Sequence, residues 1–147
     1  MRYSFPMPRE ESDRFLEDVL IRRTPPVGYA LEERERPGRL AGYVLFCPLD
    51  ELGAYELGWF LRRDLWGSGY ALEISQALLD YGFDALGLRR VEGETIDPDR
   101  AGRLLEKLGM ERQGEEPVTD CRGRPTVLYQ YAVTGEQWRE RKGGPDG

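Results

Sequence analysis

The segment from Tyr55 to Tyr81, YELGWFLRRDLWGSGYALEISQALLDY, constrains the fold more than any other. A strand-like run breaks at a glycine-punctuated turn and restarts at once as a helix. A helix entered through Trp66-Gly67-Ser68-Gly69-Tyr70-Ala71 aims several unpaired backbone N–H groups, and the positive end of its dipole, at one point. Glycines there let the backbone approach a bulky anion in conformations that a side chain forbids. The segment is therefore read as a diphosphate cradle between a strand and a helix.

Two familiar phosphate loops do not fit. A triphosphate loop needs a Lys-Ser or Lys-Thr after its glycines, and the dinucleotide pattern G-x-G-x-x-G needs glycine where Leu72 stands. The segment is instead similar to the acyl-CoA loop Q/R-x-x-G-x-G/A of the GNAT superfamily of N-acetyltransferases. Gly69 and Ala71 occupy the last two defined places, and Trp66 replaces the usual Gln or Arg. The likeness continues through ELGWFL, ALLDYGFDALGLRRVEGE, LLEKLGM and TVLYQYAVTGEQW, and it resembles the RimJ/RimL-type branch, the ribosomal-protein N-acetyltransferases.

Composition agrees with one soluble domain. The 147 residues are 39% hydrophobic and 33% charged, ordinary values for a globular protein with a real core. The expected domain covers residues 1–142, with 143–147 as a flexible tail. No apolar run approaches the roughly 20 residues of a membrane span, and the N-terminal residues lack a signal or transit pattern, so a cytoplasmic location is expected. Cys47 and Cys121 are the only cysteines and histidine is absent, which argues against a disulfide framework or a metal site. The net charge of −6 disfavours nucleic-acid binding, and it suits either simple solubility or a cationic acceptor. Arg62, Arg63, Arg89, Arg90, Arg100 and Arg103 flank the proposed CoA segments, and some of them are expected to meet phosphate.

Apolar spacing predicts an amphipathic helix over Glu11 to Arg23, ended by Pro25-Pro26. Val27 to Glu33 and Leu40 to Pro48 read as an antiparallel hairpin turning at Arg36-Pro37-Gly38, and Tyr55 to Leu61 as a third strand. A long helix is expected from Gly69 to Leu86, stopped by Gly87. A strand over Arg90 to Ile96 follows, then a short helix over Ala101 to Leu108 entered through Asp97-Pro98. Strands over Met110 to Glu116 and Thr126 to Val133 come next, and Thr134 to Gln137 has the spacing of a capping box. The order makes a mixed α/β layer, and the resemblance implies a twisted central sheet with helices on both faces. Chains of this type normally begin with a further strand, ERLxLRP, before the region that MRYSFPMP resembles; either Met1 is a shortened or misassigned start, or the first edge strand is absent or supplied by another subunit. An uncovered edge suits self-association as a homodimer.

The resemblance also implies the chemistry. Acetyl-CoA is the co-substrate, and a primary amine, either a protein N-terminus or a small molecule, attacks its thioester directly. Backbone around Trp59 and Leu61 is expected to pair with the pantetheine arm, and N–H groups of Gly67, Ser68, Gly69, Tyr70 and Ala71 to bind the diphosphate, with Trp66 a further cofactor-binding residue of the loop. Asp99 stands where relatives carry an asparagine that contacts pantetheine. An ammonium must lose a proton before it attacks, and with no histidine a carboxylate is the expected base. Glu94 holds the strand position of the family's glutamate base, Glu92 shares its face, and Glu56 on the neighbouring strand is the second candidate. The hydroxyl acid of many relatives is missing: the corresponding places hold Leu105 and Ala101 or Gly102, which leaves Tyr70, Tyr129 or water. Neither cysteine has a base partner, so a covalent intermediate is not expected. The rival expectation is a CoA-binding module without turnover.

Overall fold

A computed structural model describes residues 27–120 and 122–143. The expected helix over Glu11 to Arg23, the question of the first strand, and Cys121 lie outside the described residues.

The described residues form a six-stranded mixed sheet in the order β1-β2-β3-β4-β6-β5. The strands are β1 (Gly28–Glu33), β2 (Arg36–Pro48), β3 (Ala54–Leu61), β4 (Arg90–Thr95), β5 (Glu111–Thr119) and β6 (Pro125–Thr134). Helix α1 (Tyr70–Asp80) continues into one wider turn over Tyr81–Ala85, and α2 (Arg103–Lys107) follows a similar turn over Pro98–Gly102. Helix α3 (Gly135–Lys142) closes the described chain.

Only β3 and β4 run parallel, because α1 carries the chain back between them. The hairpin of β1 and β2 is present, but its turn lies at Arg34-Glu35 rather than at Arg36-Pro37-Gly38. Gly38, at φ +86°, sits instead inside an irregular start of β2, where the pairing slips twice between Leu31 and Glu33. Further along β2, a Cβ on Gly42 would lie 2.0 Å from the Phe60 carbonyl oxygen, so glycine lets the two strands pair there.

Strand alternation sorts the two faces of the sheet. Val44, Phe46, Leu57, Val91, Tyr131 and Val133 point to one face and meet Leu79, Phe83, Leu105, Leu108 and Trp138 there in one buried core. All three described helices pack on this face. The opposite face carries Tyr43 stacked on Phe60 at 4.7 Å, together with Glu56, Glu92, Glu94 and Gln130. Burial pushes the Tyr43 phenol up to about 12.

Two glycines set how closely α2 approaches the sheet. A Cβ on Gly93 would meet Leu105 Cδ2 at 2.9 Å, and one on Gly102 would meet the Tyr131 hydroxyl at 2.6 Å. At the other end the expected capping box is formed: the Thr134 hydroxyl accepts from Gln137 N at 3.1 Å, and the Gln137 side chain accepts from Thr134 N at 3.0 Å. Trp138, 4% exposed, lies 5.9 Å from the Phe83 ring. Arg141 donates to the Lys107 carbonyl and Lys142 pairs with Asp80, so α3 touches the ends of both other helices.

Candidate active site

Strands β3 and β4 pair only at Ala54–Arg90, Tyr55–Val91 and Glu56–Glu92. Beyond that rung Leu57–Leu61 has no pairing residue on β4, and the two strands form the arms of an open cleft. Which backbone groups line it follows from the register. Arg62 N donates to the Ala41 carbonyl at 2.9 Å, so alternation turns the backbone of Phe60 and Gly58 toward β2 and that of Trp59 and Leu61 toward the cleft. The Trp59 side chain packs on the helix-side core, so only its backbone is presented.

The loop after β3 builds the mouth of this cleft. Gly67 and Gly69 have φ of +79° and +87°, and a Cβ on either would meet nothing within 4 Å. Glycine is needed there for the left-handed backbone, and the direction its side chain would take is open space. Gly69 caps α1 and, being glycine, offers no side-chain bond, while the neighbouring Ser68 hydroxyl turns away to donate to the Leu65 carbonyl. The N–H groups of Tyr70, Ala71 and Leu72 therefore head the helix with no intrahelical acceptor, and the N-terminal dipole adds to them. Such a surface accepts an anion.

Trp66 is half exposed, and its indole N–H donates to the Leu61 carbonyl at 3.1 Å. One of the expected pantetheine contacts is thus already occupied by the chain itself. The guanidinium carbons of Arg63 and Arg100 lie 5.7 Å and 5.3 Å from the centre of the same ring. Among the flanking arginines, Arg62 is held by Asp64 through bonds of 3.0 Å and 2.5 Å, which keep the Asp64 carboxyl below its ordinary range. Arg90 pairs with Glu51 and, at 2.9 Å, with Glu92, and the Arg89 side chain runs under Gly53.

Glu94 is half-buried on β4, opposite Gln130 of β6, and Glu56 lies at the closed end of the cleft in register with Glu92. Both candidates project from the face turned away from the three helices. Asp99 is exposed in the turn after β4, where the Asp97 carboxylate accepts from Arg100 N at 3.2 Å. Tyr70 is not brought to this centre. It lines a separate cavity of about 270 Å³ with Leu61, Ile74, Leu31 and Glu33, on the β1–β2 side of β3. Tyr129 lies under Arg112, whose guanidinium carbon is 4.6 Å from the ring centre. Leu105 is 1% exposed, and the side-chain space at Gly102 is taken by the Tyr131 hydroxyl, which accepts from Arg112 at 3.1 Å. Tyr131 was not among the sequence candidates, and only its contact with Gly102 draws attention to it. Cys47 is half-buried, with its thiol 3.9 Å from the Val27 carbonyl. No group of three or more His, Cys, Asp or Glu among the described residues is arranged to hold a metal ion. No described helix is long and apolar enough to cross a membrane.

Comparison with known proteins places these features in a family. Residues 1–111 match the model of the acetyltransferase (GNAT) domain. The chain is 32% identical over 102 residues to the uncharacterized N-acetyltransferase YnaD of Bacillus subtilis, an alignment covering 67% of this chain and 59% of that protein. The chain thus spans little more than half the length of that relative. A GNAT-family acetyltransferase from Bacillus anthracis superposes with a TM-score of 0.68 at 25% identity, over 88% of this chain and 76% of the other. A variant of the spermidine N-acetyltransferase SpeG from Vibrio cholerae has the same fold, with a TM-score of 0.72 at 18% identity, over 97% of this chain and 86% of that one.

Proposed function

Because this chain belongs to the GNAT family of acetyltransferases, we propose that it moves the acetyl group of acetyl-CoA to a primary amine, and that it does so in the RimJ/RimL manner. The acceptor is a protein N-terminus or a small-molecule amine. The observation that carries this reading is the continuity of the cleft: an edge of β3 without a β4 partner, closed only at Leu61 by the Trp66 indole, runs directly into a loop whose two left-handed glycines face open space at the head of α1. That sequence of surfaces fits an extended thioester arm ending in a diphosphate. The donor supplies an activated acyl group.

The chain's own residues supply position and proton handling. The Trp59 backbone offers a free strand edge to an amide-bearing arm, and the N–H groups from Gly69 to Leu72 take the diphosphate charge. Holding donor and amine together in attack geometry can contribute about 7–11 kcal/mol at the upper limit. Glu94, or Glu56 from the closed end of the cleft, takes the proton of the acceptor ammonium directly or through a water. The amine nitrogen then bonds to the acetyl carbon, the carbon–sulfur bond breaks with its electron pair leaving on the thiolate, and the nitrogen gives up its remaining extra proton to that thiolate or to water. A thiol is acidic enough, with a pKa of about 8.5, that the thiolate can depart without a dedicated acid.

The test is to mix the purified protein with acetyl-CoA and a panel of primary amines, from diamines to peptides with free N-termini. Acetylated product together with a raised melting temperature in acetyl-CoA supports the enzyme. Stabilisation without any product would favour a CoA-binding module, and neither effect would refute both readings.

A further inference from the structure

Six arginines flank the cleft. Arg62 and Arg90 are neutralised by Asp64, Glu51 and Glu92, whereas Arg63, Arg89, Arg100 and Arg103 have no carboxylate partner among the described residues, and of these four only Arg63 and Arg100 lie over the Trp66 ring. The two arise from different arms, Arg63 from the turn after β3 and Arg100 from the turn after β4. Both guanidinium groups nonetheless lie within 6 Å of the centre of the Trp66 ring. Both side chains are exposed, so solvent screens their repulsion, and the ring offers each a cation–π contact while leaving their donors open to an incoming anion. Trp66 is itself tied to the end of β3 through the Leu61 carbonyl, which fixes the platform. The acidic groups adjacent in sequence are engaged or exposed: Asp64 with Arg62, the Asp97 carboxylate with Arg100 N, and Asp99 in solvent.

We propose that Arg63 and Arg100, gathered on Trp66, form a second phosphate subsite separate from the glycine cradle, and that it takes the 3′-phosphomonoester of the donor. This rests on the acetyl-CoA reading above. The division of labour follows from charge. The glycine loop offers backbone N–H groups, which suit the singly charged units of a diphosphate, whereas a phosphomonoester carries about −1.5 to −2 at neutral pH and matches two guanidinium groups. Because the arginines come from both arms, an anion between them also links the turn after β3 to the turn after β4.

The experiment compares acetyl-CoA with acetyl-3′-dephospho-CoA by calorimetry, using wild type, Arg63→Gln and Arg100→Gln. Wild type should bind acetyl-CoA about tenfold more tightly than the dephospho donor. Each substitution should bring that ratio toward one by weakening acetyl-CoA alone, and Trp66→Leu should lower it with both arginines still present. A ratio near one in wild type, or substitutions that weaken both donors equally, would overturn the subsite. If wild type bound neither donor, the acetyl-CoA reading would be what failed. Inorganic phosphate then decides: binding that is lost in Arg63→Gln/Arg100→Gln keeps the subsite, and no phosphate binding overturns it.

Discussion

Replacing Gly69 by alanine separates the cost of its backbone from its role in binding. At φ +87° any residue with a Cβ is strained by roughly 1–2 kcal/mol. The smaller freedom of the unfolded chain returns about 0.4–1 kcal/mol. No neighbour lies within 4 Å of the new methyl, so no packing term is added. The net destabilisation is about 1 kcal/mol, a fall of about 2–4 °C in Tm for a domain of this size. Gly38 provides a matched control, since its φ is +86°, its Cβ would also meet nothing within 4 Å, and it lies in the β1–β2 hairpin outside the loop. Gly38→Ala and Gly69→Ala should therefore melt alike. They should differ in acetyl-CoA binding, because the methyl at 69 enters the space left for the diphosphate. Losing one charge-assisted N–H contact is worth about 1.5–3 kcal/mol, or roughly a 10- to 150-fold weaker Kd. Paired melting curves and calorimetric titrations of the two variants measure both quantities. Wild-type affinity in Gly69→Ala, or an equal loss in Gly38→Ala, would refute the cradle.

Two more outcomes test other parts of the molecule. Glu94→Gln should keep acetyl-CoA affinity while lowering kcat by about 10²- to 10⁴-fold, with the defect shrinking at high pH as more acceptor is already neutral; an unchanged rate moves the role to Glu56, and a pH-independent loss with a lower Tm makes Glu94 structural. The Tyr43 phenol, raised by burial to about 12, keeps its proton in the folded protein after the unfolded chain begins to lose it near 10. Its contribution to stability is thus full below pH 10 and declines between pH 10 and about 12. Chemical denaturation across that range should fall less steeply in Tyr43→Phe, and identical slopes would refute the assignment.

Much of the architecture was legible because local chemistry decides it. Gly87 and Gly109, at φ +64° and +90°, mark helix ends where the sequence pattern placed them, and Thr134-Gln137 formed the box that its spacing required. The hairpin turn was misplaced because Pro37-Gly38 carries turn chemistry wherever it stands, and here the irregular pairing of β1 with β2 absorbs it. The wide turn at Tyr81–Ala85 has no local signature: a Cβ on Gly82 would meet Phe46 Cζ at 2.8 Å, a tertiary contact. The divergence of β3 from β4 was equally invisible, since parallel strands joined through a helix leave no register signal in sequence. For the site, the glycine loop was readable from its residues, but the sorting of arginines into paired and unpaired was not. That sorting depends on carboxylates as distant in sequence as Glu51 is from Arg90.

The last helix has a consequence for how wide the cleft stands. Helices α1 and α2 lie behind the two diverging arms, and nothing in their own sequences fixes the angle between them. Helix α3 braces both, through Lys142 at the end of α1, Arg141 at the end of α2 and Trp138 against Phe83. It therefore behaves like the rivet of a pair of tongs, seated away from the jaws yet setting their gape. Geometry at the mouth is in this way written partly into residues 135–142, a surface helix anchored in the core by the buried Gly135 and Trp138.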